Sequence, residues 1–103
     1  MWGQAGASME VAYSTTKGGL DRFTKALAKE VAPSGVQVNA IACGLIDTDM
    51  NACFSEEDLE AVIAEIPADR MGLPTEVANL CIQLVQAPEY LTGQIIALDG
   101  GWI

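Results

Sequence analysis

Two side chains near the start of the sequence have the types and spacing of an acid/base pair. Tyr13 and Lys17 are four residues apart, which on a helix places them on one face about one turn apart. A phenol has an ordinary pKa of about 10, and a neighbouring ammonium lowers that pKa toward neutrality because it favours the phenolate. The pair can therefore transfer a proton. Alternatively, the lysine stem packs on the tyrosine ring at the surface.

The composition excludes several other kinds of catalysis. The sequence has no histidine, so it holds neither a Ser-His-Asp nor a Cys-His nucleophile, and no histidine metal ligand. Its three cysteines are odd in number, widely spaced and without a CxxC pair: Cys43, Cys53 and Cys81. We expect free thiols in a reducing cytoplasm, with no disulfide and no metal site.

The charge balance is strongly acidic. Fourteen acidic side chains against five basic ones give a net charge of -9. This charge argues against nucleic acid and anionic membrane surfaces as partners, because their phosphates would be repelled. No apolar run approaches the roughly 20 residues of a membrane-spanning helix. We expect a soluble, cytoplasmic protein with no nucleic-acid or membrane partner.

The elements that must position Tyr13 and Lys17 begin with one long helix. Residues 1–10 contain two glycines and no apolar periodicity, so they are predicted to form a loop. Residues 11–32 carry an apolar stripe at helical spacing, formed by Leu20, Phe23, Leu27 and Val31. The turn residues of Pro33-Ser34-Gly35 end this helix.

The remaining sequence alternates between strand and helix patterns. It predicts a strand at 36–42, helices at 55–65 and 74–86, and a strand at 94–98. Two strands separated by about 50 residues that contain helices indicate a parallel pair with a right-handed crossover, hence the α/β class. A parallel sheet is buried on both faces, and two strands with two or three helices are too few for that. We expect residues 1–103 to be a single partial domain of a larger sheet.

Four segments resemble motifs of the short-chain dehydrogenase/reductase family, in that family's order and spacing. Residues 12–20 (AYSTTKGGL) resemble its active-site helix, and residues 38–50 (VNAIACGLIDTDM) resemble strand six and the cofactor loop after it. Residues 70–78 (RMGLPTEVA) resemble the segment that leads into the family's last large helix. Residues 90–94 (YLTGQ) and 98–101 (LDGG) resemble its final strand and terminus. The resemblance, nearest to 3-oxoacyl-[acyl-carrier-protein] reductases, implies the C-terminal portion of a Rossmann-like doubly wound parallel sheet.

The resemblance also implies an activity and the residues that perform it. It implies an NAD(P)(H)-dependent oxidoreductase that transfers hydride to the carbonyl of a small substrate, a 3-oxoacyl thioester. Tyr13 would protonate the carbonyl oxygen, while Lys17 would bind the nicotinamide ribose and lower the pKa of the tyrosine, so both would also contact the cofactor. Gly44 would let the chain pass close to the cofactor. The Ile46 backbone would contact the carboxamide beside the Thr48 hydroxyl, which could otherwise cap a turn.

The sequence departs from the family pattern in several places. Cys43 stands where the family usually has proline. The family's catalytic serine would lie thirteen residues before Tyr13, ahead of Met1, and Ser8 does not align with it. The phosphate-binding loop, the ribose-reading residue and the active-site asparagine would also lie upstream. Residues 3–6 are no substitute, because no strand precedes them. We therefore expect the chain alone to be inactive.

Two other functions remain open. The family generally builds its subunit interfaces from the helix that carries Tyr13, the last helix and the final strand, so the chain could be a non-catalytic assembly module. An acidic binding domain unrelated to redox chemistry rests on charge alone. The missing outer strand would leave an open apolar edge, so we expect a homo-oligomer rather than a stable monomer. An acidic acyl carrier would favour a basic docking patch such as Arg22, Lys25 and Lys29, which otherwise form a solvated helix face.

Overall fold

Two short strands form a parallel sheet. The computed structural model describes residues 3–49, 51 and 54–102, with side chains described from residue 17 onward. Strands β1 (Ala40–Cys43) and β2 (Ile95–Leu98) pair in a two-stranded sheet. The Ala40 amide donates to the Gln94 carbonyl and the Gly44 amide to the Leu98 carbonyl, both at 2.9 Å. The constant residue offset is that of parallel pairing, which confirms the predicted α/β class.

The helices lie close to their predicted positions, with one exception. They are α1 (Gly3–Val31), α2 (Glu56–Glu65) and α3 (Pro74–Val85), and a 3-10 turn (Ala32–Ser34) follows α1. The prediction of a loop over residues 1–10 is wrong, because α1 already begins at Gly3. A glycine costs a helix only about 1 kcal/mol relative to alanine. Two glycines among alanine, glutamine, methionine and glutamate do not interrupt a helix of 29 residues.

The ends of these helices follow local chemistry. After α1, Gly35 adopts a left-handed conformation (φ 75°), and its amide donates to the Ala32 carbonyl at 2.9 Å. At the start of α2, the Ser55 hydroxyl accepts a hydrogen bond from the Asp58 amide at 3.1 Å. The three acidic residues of that first turn suit the positive end of the helix dipole. The predicted helices at 55–65 and 74–86 are thus confirmed.

The strand predicted at 36–42 is corrected in both extent and burial. Its first residues are not part of the strand, and Val36 is half exposed. The Val38 amide instead donates to the Thr92 hydroxyl at 3.0 Å, and the Gly93 amide donates to the Val38 carbonyl at 2.7 Å. Both strands are only half buried, since the described residues give each of them one neighbouring strand.

The chain divides into two compact units. The first consists of residues 1–40 and 89–95, and its core side chain is Ala28, which lies beside the Gly93 turn. The second consists of residues 41–88 and 96–103, and its core side chain is Ile66, which lies beside Gly100. The prediction that residues 1–103 form a single partial domain stays a prediction.

The apolar stripe of α1 is only partly covered by the described residues. Thr24 and Ala28 are buried, and the Thr24 hydroxyl donates to the Leu20 carbonyl at 2.8 Å. Leu20 and Phe23 keep 60% and 62% of their surface exposed. Among the described side chains of α1, the buried ones are thus small, and the large Leu20 and Phe23 are exposed.

The described helices and cysteines have two further properties. Although α1 is long, neither it nor any other described helix has the apolar length needed to cross a membrane. Cys43 and Cys81 are free and exposed, which confirms the expected free thiols at these two positions. Cys53 lies outside the described residues.

Candidate active site

Tyr13 and Lys17 lie on α1 in the first unit. The helix is unbroken between them, so the two positions are one turn apart on the same side of it. Lys17 is half buried, and no described residue binds its ammonium group. The side chain of Tyr13 lies outside the described side chains. The proton-transfer roles of this pair stay predictions.

The other three predicted site residues lie together on one loop of the second unit. This loop, residues 44–51, follows β1 and carries Gly44, Ile46 and Thr48. Ile46 forms an isolated parallel bridge with Gly72, just before α3. Thr48 is exposed, and its carbonyl accepts a hydrogen bond from the Asn51 amide at 3.1 Å. The Thr48 hydroxyl bonds to no described residue, so it does not cap this turn within the described part of the chain.

Hydrogen bonds hold the backbone on both sides of the Ile46 amide, which itself has no partner among the described residues. The Leu45 carbonyl accepts from the Gly72 amide at 2.9 Å, and the Asp47 amide donates to the Gly72 carbonyl at 2.8 Å. The Ile46 carbonyl accepts from the Asn51 side-chain amide at 2.6 Å. No described residue accepts from the Ile46 amide. An N–H without a partner among the described residues is a donor that a carboxamide oxygen could accept from.

Gly44 has a structural reason to lack a side chain. A Cβ at this position would lie 2.7 Å from the Asp99 Cβ and 2.8 Å from the Asp99 Cα, at the end of β2. The family resemblance implies that this glycine permits close passage of the cofactor. Within the described residues, the close passage is that of Asp99.

We expect Gly44→Ala to lower the free energy of unfolding by about 3 kcal/mol, because the clash involves backbone as well as side chain. Urea unfolding of the wild-type and variant chains measures this difference. Gly18→Ala is the matched control, because a Cβ at Gly18 meets nothing within 4 Å and alanine favours the helix. Equal stability of Gly44→Ala and wild type would show that the Asp99 backbone yields without cost.

An exposed ion pair connects the segment before α3 to the first turn of that helix. The Arg70 guanidinium donates to both Glu76 carboxylate oxygens, at 2.7 and 3.0 Å, and to the Met71 carbonyl at 3.0 Å. Glu76 also accepts from the Leu73 amide at 3.0 Å. The hydrogen bonds from Arg70 and Leu73 lower the pKa of Glu76 to about 2, and the carboxylate raises the pKa of Arg70. The pair is exposed, so its net contribution to stability is small.

This ion pair predicts a specific pH dependence of stability. The folded pKa of Glu76 lies below its ordinary value of 4.5, so the contribution is complete above that value and disappears as the pH falls toward 2. We expect Glu76→Gln to melt below wild type at pH 6 and level with it near pH 2. The matched control is Glu60→Gln, at an exposed position of α2 beyond its first turn and without an ion pair among the described residues. It should show no such convergence. A Glu76→Gln difference that is independent of pH would contradict the assignment.

Sequence comparisons agree with this architecture. A family model described as Enoyl-(Acyl carrier protein) reductase matches residues 1–103. The uncharacterized oxidoreductase YmfI of Bacillus subtilis is 46% identical over 103 residues, which are 99% of this chain and 43% of that protein. The 3-oxoacyl-[acyl-carrier-protein] reductase FabG of Aquifex aeolicus is 50% identical over 93 residues, 89% of this chain and 38% of that protein. The chain thus spans well under half the length of these relatives.

Solved structures are similar over most of the chain. A 3-oxoacyl-[acyl-carrier protein] reductase from Brucella melitensis matches with a TM-score of 0.83 and 35% identity, covering 88% of this chain and 35% of that one. A protein from Agrobacterium tumefaciens with bound NADP, assigned as a 2-deoxy-D-gluconate 3-dehydrogenase, matches with a TM-score of 0.80 and 36% identity. The match covers 87% of this chain and 38% of that protein. Both similarities confirm a Rossmann-like fold. With a family model that matches from the first residue to the last, they establish that the chain belongs to the short-chain dehydrogenase/reductase family.

Proposed function

We propose that this chain is the C-terminal part of an NAD(P)-dependent oxidoreductase that reduces the carbonyl group of a 3-oxoacyl thioester. The observation that carries the proposal is the loop after β1, on which the Ile46 amide has no described partner and the Thr48 hydroxyl is exposed. The relatives from Aquifex aeolicus and Brucella melitensis, whose names state this activity, support the substrate class. The Agrobacterium tumefaciens structure with NADP supports the cofactor class.

In this proposal, α1 supplies the proton. Tyr13 donates its phenolic proton to the carbonyl oxygen of the substrate as negative charge develops there. Lys17 lies one turn away, so its ammonium stabilises the resulting phenolate and binds the nicotinamide ribose hydroxyls.

In the same proposal, the loop 44–51 orients the nicotinamide ring. The Ile46 amide and the Thr48 hydroxyl hold the carboxamide, and Gly44 keeps the start of the loop close to β2. When bound, the dinucleotide supplies the hydride for the reduction. The loop residues would contribute by orienting the nicotinamide ring rather than by taking part in bond changes.

The proposal is tested with a complete enzyme, meaning a longer protein that carries these residues or a chimera in which they replace the matching segment of a relative. Oxidation of NADPH and NADH is followed with acetoacetyl thioesters, and each cofactor is titrated by fluorescence. We expect thioester-dependent oxidation of one of the two cofactors. A folded complete enzyme that binds neither cofactor would overturn the proposal.

We also propose that the chain forms homo-oligomers, because several of its large apolar side chains are exposed. On α3, Ile82 and Val85 keep 56% and 84% of their surface exposed, and on α1 the side chains of Leu20 and Phe23 are similarly open. Contact with a second copy would remove the surface of these apolar side chains from water, which favours association. The same surfaces support the alternative function, a non-catalytic assembly module.

Sedimentation at several concentrations is expected to show a dimer or larger species of the 103-residue chain rather than a monomer. Phe23→Gln should shift this equilibrium toward monomer because it removes exposed apolar surface. Lys25→Gln, also at an exposed position of α1, is the matched control and should leave the equilibrium between monomer and oligomer unchanged. A monodisperse 10.8 kDa monomer that melts cooperatively would contradict the proposed assembly.

A further inference from the structure

We propose that Asn51 is a positioning residue for the cofactor: its side-chain amide holds the Ile46 peptide so that the neighbouring Ile46 amide points at the nicotinamide carboxamide. This inference rests on the proposed function and adds a residue that no sequence motif indicated. The link is the 2.6 Å hydrogen bond from Asn51 Nδ2 to the Ile46 carbonyl.

The geometry fixes both ends of one peptide unit. The unit between Ile46 and Asp47 has its carbonyl bound by Asn51 and its amide bound to the Gly72 carbonyl at 2.8 Å. The preceding unit is held by its carbonyl alone, through the Gly72 amide at 2.9 Å. The free amide of Ile46 therefore lies between two anchored groups, and Asn51 supplies the only side-chain anchor among the described residues.

Asn51 is itself held in place. Its backbone amide donates to the Thr48 carbonyl and its carbonyl accepts from the Phe54 amide, both at 3.1 Å. Its side-chain amide also lies 3.8 Å from the Met71 sulfur, and the residue is half buried. An anchored donor restricts the loop before the cofactor arrives, so less ordering remains to be done on binding.

The chemistry requires a donor at this position. The Ile46 carbonyl offers only lone pairs, so a side-chain amide nitrogen satisfies it. Alanine leaves the carbonyl without this partner, and aspartate of nearly the same shape presents an acceptor and a negative charge instead. We expect Asn51→Ala to raise the dissociation constant for the nicotinamide dinucleotide about tenfold, and Asn51→Asp to raise it further.

The experiment compares the binding of nicotinamide dinucleotides with that of their adenosine portions in the complete enzyme. Fluorescence titration measures NADPH and NADH, and calorimetry measures 2′,5′-ADP and ADP, which lack the nicotinamide. We expect Asn51→Ala to weaken the dinucleotide about tenfold while the adenosine half-cofactors bind as in wild type. Asn79→Ala, at an exposed position of α3, is the matched control and should bind both as wild type does.

A second readout needs no cofactor. In the 103-residue chain, the Asp47 amide is held to Gly72, and loss of the Asn51 bond should speed its hydrogen exchange about tenfold. Unchanged exchange and unchanged dinucleotide binding in Asn51→Ala would overturn the inference. Equal weakening of dinucleotide and half-cofactor would overturn it too, because that is the result of general destabilisation. Failure of the proposed function is distinguishable, since it would appear in the wild-type enzyme.

Discussion

Tyr13→Phe in the complete enzyme is expected to lower kcat about 10³-fold while leaving cofactor binding nearly unchanged. The substitution removes the one proton that the proposed mechanism transfers from a side chain, and general acid catalysis contributes about 10²- to 10⁴-fold in rate. The aromatic ring remains, so the substitution changes the volume of the side chain little. Steady-state rates with an acetoacetyl thioester, with fluorescence titration of the cofactor, measure both quantities.

Lys17→Met provides the contrast that makes the tyrosine result specific. Lysine acts on both the ribose and the tyrosine pKa, so its loss should weaken cofactor binding as well as lower the rate. If Tyr13→Phe kept a tenth of the activity, the general-acid assignment would be wrong. If the two variants lost rate and binding in the same proportion, the division of roles between Tyr13 and Lys17 would be wrong.

The 103-residue chain assayed by itself is expected to show no turnover and no micromolar cofactor binding. The motifs that bind the pyrophosphate and polarise the substrate carbonyl in this family do not match any part of these residues. A fixed helix N-terminus with glycines beside the phosphates supplies much of the affinity for a dinucleotide. The loop 44–51 contacts only the nicotinamide end in the proposed function.

The measurement is NADPH and NADH oxidation by the chain with acetoacetyl thioesters, with titration of each cofactor. The chain carrying Tyr13→Phe is the control for background oxidation. Turnover clearly above this control, or saturable binding at micromolar cofactor, would show that residues 1–103 contain a working site. The sedimentation experiment should be done on the same sample, so that activity is assigned to a known oligomeric state.

Local chemistry explains why most elements were predictable. Ser55 with three acids after it begins α2, Pro74 begins α3, and Gly35 ends the turn after α1. Each signal acts within one helical turn, so the neighbouring residues suffice to specify it. The prediction of a loop at residues 1–10 is wrong because a long helix absorbs the small cost of two glycines.

The candidate site was predictable only in part. Residue types and order identified the loop that carries Ile46 and Thr48, because that segment is continuous in the sequence. The backbone contact that holds this loop was not predictable, because Gly72 lies 26 residues after Ile46 in the sequence. The two residues meet only in the isolated parallel bridge. Asn51 belongs to no recognisable motif, and its role follows from a single hydrogen bond.

The sequence by itself determined the α/β class, the family and the positions of α2 and α3, because periodicity, capping and motif order are read directly from the residues along the chain. Only the tertiary structure decided which groups face one another. It showed that Gly44 must lack a side chain because of Asp99, and that the Ile46 amide lacks a described partner while the groups around it are bound. It also showed that Leu20 and Phe23 stay exposed. Such contacts join residues distant in the chain, so they depend on packing, which local sequence patterns do not specify.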